Sequence, residues 1–363
     1  MGATWLSAAL QRVALERFDM ARLEQASRRG GGGLGARSRA PLFAALDLGT
    51  NNCRLLIAAR AADGGLRVVD GFSRIVRLGE GLTHTGRLGE AAMARAYQAL
   101  AACAQRIEAR QPVAVGCVAT QACRAAANGA LFLDRVRKDL GLDFQVIAPE
   151  EEAQLSVLGC TSLLDASADY ALIVDIGGGS TEMSWVRPAE VLNAGLAAPL
   201  LAWSTSPMGV VTLADEEAEP ERDKHAWYEA LVERLARDFA PRDTVAPLVA
   251  AFASGRGHIV GTSGAVTSLA GVHLELPRYA RARVDGMWFD VKDCRAVIAK
   301  LLHQSREERA QNPCIGKDRA DLVVIGGAIL DAVLRVWPAE RIRVADRGLR
   351  EGVLMRLMAA HER

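Results

Sequence analysis

A chain of 363 residues is long enough for about two domains at the usual ~150 residues each. Half of it is apolar and 24% is charged, the balance of a globular protein with a real core, which excludes disorder, a collagen repeat and a small disulfide scaffold. The 44 Lys and Arg nearly cancel the 43 Asp and Glu, but residues 1–41 hold seven Arg against three acids, so the remaining body is slightly acidic. Such a body is a poor generic binder of nucleic acid, and any polyanion must be held by local loops.

Seven cysteines, odd in number and without a C-x-x-C pair, lie among apolar residues and read as reduced, packed side chains, with zinc not expected. The longest uncharged stretch, residues 191–214, is broken by Asn193, Gly195, Pro199 and Pro207, too polar to span lipid. No membrane association is expected. The N-terminus lacks the short apolar core and small-residue cleavage site of a secretory signal, and a cytoplasmic location is expected.

Along the chain, residues 1–26 can form one helix, after which Arg28-Arg29 and four glycines at 30–33 read as a flexible linker. Residues 1–40 are therefore expected to be a flexible leader. Two similar strand pairs follow. The first is an apolar run at 42–46, then Asp47-Leu48-Gly49-Thr50-Asn51-Asn52, then a second run at 53–58. The second is a run at 171–174, then Asp175-Ile176-Gly177-Gly178-Gly179-Ser180-Thr181, then a run at 182–186. Each reads as a β-hairpin rather than as the strand-to-helix turn of a nucleotide P-loop. Gly49 and Gly177 each follow their Asp by two residues, which fits an internal duplication of half-domains.

Between the pairs, the pattern predicts a strand at 66–69, an Ala-rich helix at 90–110, a strand at 113–119, a helix at 131–140, a strand at 144–147 and a helix at 150–164 that opens on three carboxylates. After the second pair it predicts a helix at 224–239, a strand at 258–260, a Gly-Thr-Ser-Gly turn at 261–264 and a helix at 265–272. The last predicted elements are a helix at 291–305, a strand at 322–325, a Gly326-Gly327 turn, a helix at 328–337, a strand at 341–344 and a helix at 348–358. Strands alternating with helices imply α/β layers.

Gly-rich turns at strand ends let backbone N–H groups converge on phosphate oxygens, and an adjacent Asp can hold Mg²⁺ beside them. One such turn is weak evidence, since Asp and Gly are common turn formers. Two in matching positions would grip a phosphate chain from both sides. In Pro149-Glu150-Glu151-Glu152, the acids are either a solvated helix start or the source of a base that takes a proton from an attacking water. In Thr120-Gln121-Ala122-Cys123-Arg124, the Arg124 fork either grips phosphate or is a surface residue of a helix start.

These pieces resemble the exopolyphosphatase / guanosine pentaphosphate phosphatase family of the actin-like ATPase superfamily. The matching strings are residues 46–51, Ala119 through Arg124 with Asn128, residues 147–153, residues 174–182, Met208-Gly209-Val210, residues 261–264, and Asp346-Arg347-Gly348-Leu349-Arg350-Glu351-Gly352. They occur in the family's order. The resemblance implies two actin-like (ribonuclease H-like) α/β domains flanking a cleft. The first would span 41–165, joined by the C-terminal helix at 346–363, and the second 166–345. It implies Glu152 as general base with Arg124 beside the reacting phosphate, Asp47, Gly49, Thr50 and Asn51 as the first phosphate loop, and Gly177, Gly178, Gly179 and Ser180 as the second. Asp175 and Glu182 would hold Mg²⁺. The implied activity is release of terminal phosphate from inorganic polyphosphate, guanosine pentaphosphate or both.

Two positions depart from the family's pattern. Gln154 stands where an Arg commonly follows Glu-Glu-Ala, and Thr50 replaces a Ser while keeping its hydroxyl. The chain ends soon after Gly352, so the resemblance is to the short, two-domain members. Two other readings share the turns. A sugar or acetate kinase would bind adenosine through a turn such as Gly326-Gly327, and a sensor would bind nucleotide or polyphosphate without turnover. The sequence leaves a homodimer open.

Overall fold

In a computed structural model, residues 40–363 are described, apart from 63, 196–198, 242–244 and 246–247. The helix and linker expected before residue 40 lie outside the described residues. Residues from Leu42 onward form one compact unit, and it contains two mixed sheets.

The first sheet comprises β1 (Phe43–Leu48), β2 (Asn52–Arg60), β3 (Leu66–Ile75), β4 (Ala114–Ala119) and β5 (Phe144–Val146), in the order β3-β2-β1-β4-β5. The second comprises β6 (Tyr170–Ile176), β7 (Thr181–Val186), β8 (Ala202–Ser206), β9 (Gly257–Thr262), β10 (Trp288–Asp290) and β11 (Arg341–Ala345), in the order β10-β11-β9-β6-β7-β8. In both, a central strand pairs antiparallel with the next in sequence and parallel with a later one. The run β8-β7-β6-β9-β11 repeats β3-β2-β1-β4-β5, and β10 is added at one edge. This is the expected α/β fold of two similar halves, with the duplication visible in the strand order.

Both central strands are buried on two faces, so they read as near-continuous apolar runs. On β1, Ala44, Leu46 and Leu48 pack with the helix Glu90–Arg110, while Phe43 and Ala45 face the other way, toward Leu155 and the C-terminal helix Leu349–His361. On β6, Leu172, Val174 and Ile176 enter the large core of the second sheet, and Ala171 and Ile173 face Val157 and Cys160. Side chains alternate along a strand, so Asp47 shares the face of Phe43 and Ala45, and Asp175 that of Ala171 and Ile173. The helix Pro149–Cys160 meets both faces, through Leu155 on one side and Val157 and Cys160 on the other. It runs against the C-terminal helix so closely that a Cβ on Gly352 would lie 2.0 Å from the Leu155 carbonyl oxygen.

Most predicted elements are present within a residue or two, but one region is corrected. Residues 322–337 do not form a strand, a Gly-Gly turn and a helix; one helix, Val323–Val336, runs through them. A short apolar run cannot tell a buried strand from a buried helix by periodicity alone. The glycines serve packing, since a Cβ on Gly326 would sit 2.4 Å from Ala265 Cβ. The helix expected at 150–164 ends at Cys160 and passes into a 3₁₀ turn, Thr161–Leu163. Strands β8 and β10 and the helix Val210–Glu216 had no prediction, being short and set among polar or Gly/Pro-containing segments. All seven cysteines are free and buried, as expected. Among the described residues no helix is long and apolar enough to cross a membrane.

Candidate active site

The two hairpin loops are built alike. Gly49 N–H donates to the Asn52 carbonyl and Gly177 N–H to the Ser180 carbonyl, each at 2.9 Å, leaving Thr50-Asn51 and Gly178-Gly179 at the tips. None of the glycines in these loops has a positive φ. Their need is room. A Cβ on Gly178 would lie 2.8 Å from Asn51 N, and one on Gly179 would lie 2.1 Å from Gln121 Oε1, so the loops abut across the cleft. Thr50 Oγ1 donates to that same Gln121 oxygen at 3.1 Å.

Below the loops is a cavity of about 120 Å³. Asp47, Gly49, Thr50, Asn51, Glu152, Asp175, Gly177, Gly178, Gly179, Ser180 and Glu182 all line it. Arg124 does not. Its Nη1 donates to the Ile147 carbonyl at 2.7 Å and lies 3.4 Å from Glu152 Oε2, so it stands beside Glu152 rather than on the cavity wall.

Local sequence explains how each carboxylate arrives. Pro149 occupies the first turn of its helix, where its missing N–H costs nothing, and three acids follow at the positive end of the helix dipole. Of these, Glu151 turns outward to Arg356 at 2.6 Å, while Glu152 is 9% exposed at the cavity. Asp175 and Glu182 are opposite partners in the β6–β7 ladder, and so share one face. Ser156 Oγ donates to Asp175 Oδ2 at 2.9 Å, and Thr205 Oγ1 to Glu182 Oε1 at 3.0 Å.

Burial and mutual repulsion hold these acids toward their protonated forms. Asp47 is pushed up to about 6 by burial; Arg54 and Arg350 oppose the shift, and the charges of Asp175 and Glu351 add to it. Glu182 is pushed up to about 7 by burial and then by Asp175, against hydrogen bonds from Ser180 and Thr205. Glu152 is raised well above the usual carboxylate range by burial and by Glu182, with Arg124 pulling the other way. Asp175 is raised by burial, and the Ser156 hydroxyl and Arg54 hold it back.

The cavity also carries basic groups, and the sequence carried no signal for most of them. Arg54, Arg319 and Arg350 line the same cavity. A Cβ on Gly264 would lie 3.6 Å from Arg319 Cζ and 3.7 Å from Arg54 Nη2, so two guanidinium groups converge on the first turn of the helix Gly264–His273. Burial lowers the pKa of Arg319, and Arg54 adds to the effect. Ser263 caps this helix at φ 116°, a strained conformation for a non-glycine residue and one that clusters at functional sites. Arg54 is found from register alone: it sits opposite Asp47 in the β1–β2 ladder, where the second hairpin places Glu182 opposite Asp175. The loop at 346–348 is tied down by Tyr279 Oη to Asp346 at 2.7 Å, Arg347 to Asp285, and Thr262 Oγ1 to the Arg347 carbonyl at 2.7 Å.

A cavity lined by carboxylates, guanidinium groups and a helix N-terminus suits a polyanion and a cation together. The sequence profile of the Ppx/GppA phosphatase family matches residues 57–361. A guanosine-5'-triphosphate,3'-diphosphate pyrophosphatase of Vibrio atlanticus is 29% identical over 318 residues, covering 86% of this chain. The chain spans 58% of the length of that relative. The crystal structure of the Aquifex aeolicus Ppx/GppA family member is 27% identical with a TM-score of 0.69, covering 89% of this chain and 99% of that one. An exopolyphosphatase structure from Cytophaga hutchinsonii, 24% identical with a TM-score of 0.75 over 88% of this chain and 98% of its own, shares the fold. From the profile match over most of its length, the chain belongs to the Ppx/GppA phosphatase family.

Proposed function

We propose that this protein is a phosphoanhydride hydrolase that releases terminal phosphate from inorganic polyphosphate, guanosine pentaphosphate or both, with Mg²⁺ and with water activated by Glu152. The observation that carries the reading is the position of Glu152, buried in the first turn of the helix Pro149–Cys160 and opening into the cavity that both hairpin loops line. A base needs a pKa raised toward the working pH, and burial beside Glu182 supplies that shift. Arg124 holds the Glu152 carboxylate in place. Backbone amides of the 49–51 and 177–180 loops receive phosphate oxygens, and Arg54 and Arg319 hold charge farther along the chain of phosphates.

Among the described residues no three His, Cys, Asp or Glu side chains come together to enclose a metal ion. Mg²⁺ does not ask for that. It takes one or two carboxylates and completes its shell with water and phosphate oxygens. Asp175 and Glu182, buried side by side at one strand end where the charge of one repels the other, fit that demand, since a cation between them would relieve the repulsion. Bound there, Mg²⁺ would neutralise charge on the phosphate oxygens.

The same reading divides the body near residue 165. The C-terminal helix goes with the first half, supported by its packing on β1, β2 and β4. A cytoplasmic setting suits seven unpaired, buried thiols. A kinase reading loses its support, because Gly326 and Gly327 are buried inside a helix and closed off by Ala265 and Ile298.

The test is phosphate release by purified protein with Mg²⁺, offered long polyphosphate, guanosine pentaphosphate and ATP in parallel, with Glu152→Gln as control. Release from either of the first two, reduced about 10²- to 10⁴-fold in the variant, is the expected result. Polyphosphate binding without release would overturn the hydrolase and leave a sensor.

A further inference from the structure

The helix Pro149–Cys160 is held by both sheets and carries two polar side chains one turn apart, Glu152 at the cavity and Ser156 against Asp175. Positions i and i+4 share a helix face. Ser156 is 2% exposed. A buried serine within a helix ordinarily returns its hydroxyl to the carbonyl four residues back. Thr161, at the end of this helix, behaves that way, donating to the Val157 and Leu158 carbonyls. Ser156 instead donates sideways to Asp175 Oδ2, across to the end of β6.

We propose that Ser156 is a positioning residue, whose hydroxyl orients the Asp175 carboxylate as a cation ligand and ties it to the helix that carries Glu152. A carboxylate at a strand end can swing about its side-chain torsions. One oxygen fixed at 2.9 Å by a buried donor on a doubly packed helix removes that freedom. The cation and the base are thereby set at a constant spacing, because Glu152 and Ser156 ride on one rigid element. Thr205 plays the matching part for Glu182 from β8, at 3.0 Å. The inference rests on the proposed reading of Asp175 as a Mg²⁺ ligand.

The decisive comparison uses two near-isosteric variants of the full chain, Ser156→Thr and Ser156→Val, which share the added bulk and differ only in the hydroxyl. Binding of Mg²⁺ alone is measured by isothermal titration calorimetry. Ser156→Thr is expected to bind as the wild type does. Ser156→Val is expected to bind about 10- to 100-fold more weakly, the usual loss when a partner behind a metal ligand is removed. The same ordering is expected in kcat, with KM for polyphosphate little changed. Equal Mg²⁺ affinities of the Thr and Val variants would overturn the role of Ser156, as would a wild type that binds no Mg²⁺. A wild type that binds Mg²⁺ but releases no phosphate would sink the hydrolase reading and not this one, provided the Thr and Val variants still separate.

Discussion

Asp47 offers a direct measure of how strongly the cleft resists holding its own charges. Burial lifts its carboxyl from the ordinary 3.8 to about 6 in the folded protein. At about 1.4 kcal/mol per pH unit, ionising it in the folded, cation-free protein costs about 3 kcal/mol relative to the unfolded chain. Between pH 4 and pH 6 the folded state keeps a proton that the unfolded chain has released. Stability therefore falls as pH rises through that window, and the whole cost is present above it. Asparagine cannot ionise, so Asp47→Asn is expected to gain on the wild type across the window, approaching about 3 kcal/mol above pH 6. The assay is urea unfolding of both proteins in EDTA from pH 4 to pH 7.5. The other buried acids titrate in both proteins and largely cancel in the difference. Added Mg²⁺ should narrow the gap by restoring a counter-charge to the wild type. A difference that stays flat with pH, or a wild type that gains on the variant as pH rises, would refute the reasoning.

Two further perturbations test the basic groups and the helix crossing. Arg54→Gln and Arg319→Gln should each raise KM for the polyanion about 10- to 100-fold in steady-state phosphate release, as expected for losing a hydrogen bond to a charged group. An unchanged KM in both would remove the guanidinium pair from the binding site. Gly352→Ala should lower unfolding free energy by at least about 3 kcal/mol in urea titration, since its Cβ would meet the Leu155 backbone at 2.0 Å and a carbonyl oxygen cannot rotate away as a side chain can. Wild-type stability in that variant would mean that the two helices separate freely.

How much was legible depended on the kind of signal. The two hairpins could be read because an apolar run, an Asp and a Gly-rich turn recur in register, and the strand order repeats that duplication. The helix Glu90–Arg110 was found to the residue because its apolar face is long. Glu152 stood out among three successive acids through the resemblance, and only burial separates it from Glu151, which pairs with Arg356 on the surface of the C-terminal helix. The helix Val323–Val336 was misread because its glycines answer to neighbours distant in sequence, Ala265 and Ile298. Arg319 could not be singled out among so many arginines, since its place at Gly264 depends on the fold alone.

Arg54 is the informative case, because the duplication itself contained the clue. In each half an Asp ends the central strand, and the residue facing it across the antiparallel ladder points to the same side of the sheet. The second half puts an acid there, Glu182, and the first half puts a base, Arg54. Had both halves carried acids, the cleft would gather Asp47, Asp175, Glu152 and two further carboxylates, with like charges adding to a burial cost that already lifts each of them. Placing Arg54 in the first half holds back both Asp47 and Asp175, and brings a guanidinium to Arg319 at the helix Gly264–His273. The duplicated hairpins thus diverge at one register position, into a pair of acids suited to a cation in the second and an Asp–Arg pair, whose guanidinium suits a polyanion, in the first. The proposed phosphoanhydride hydrolysis needs both in one cleft, so the difference between two copies of the same turn is what would fit a repeated fold to that chemistry.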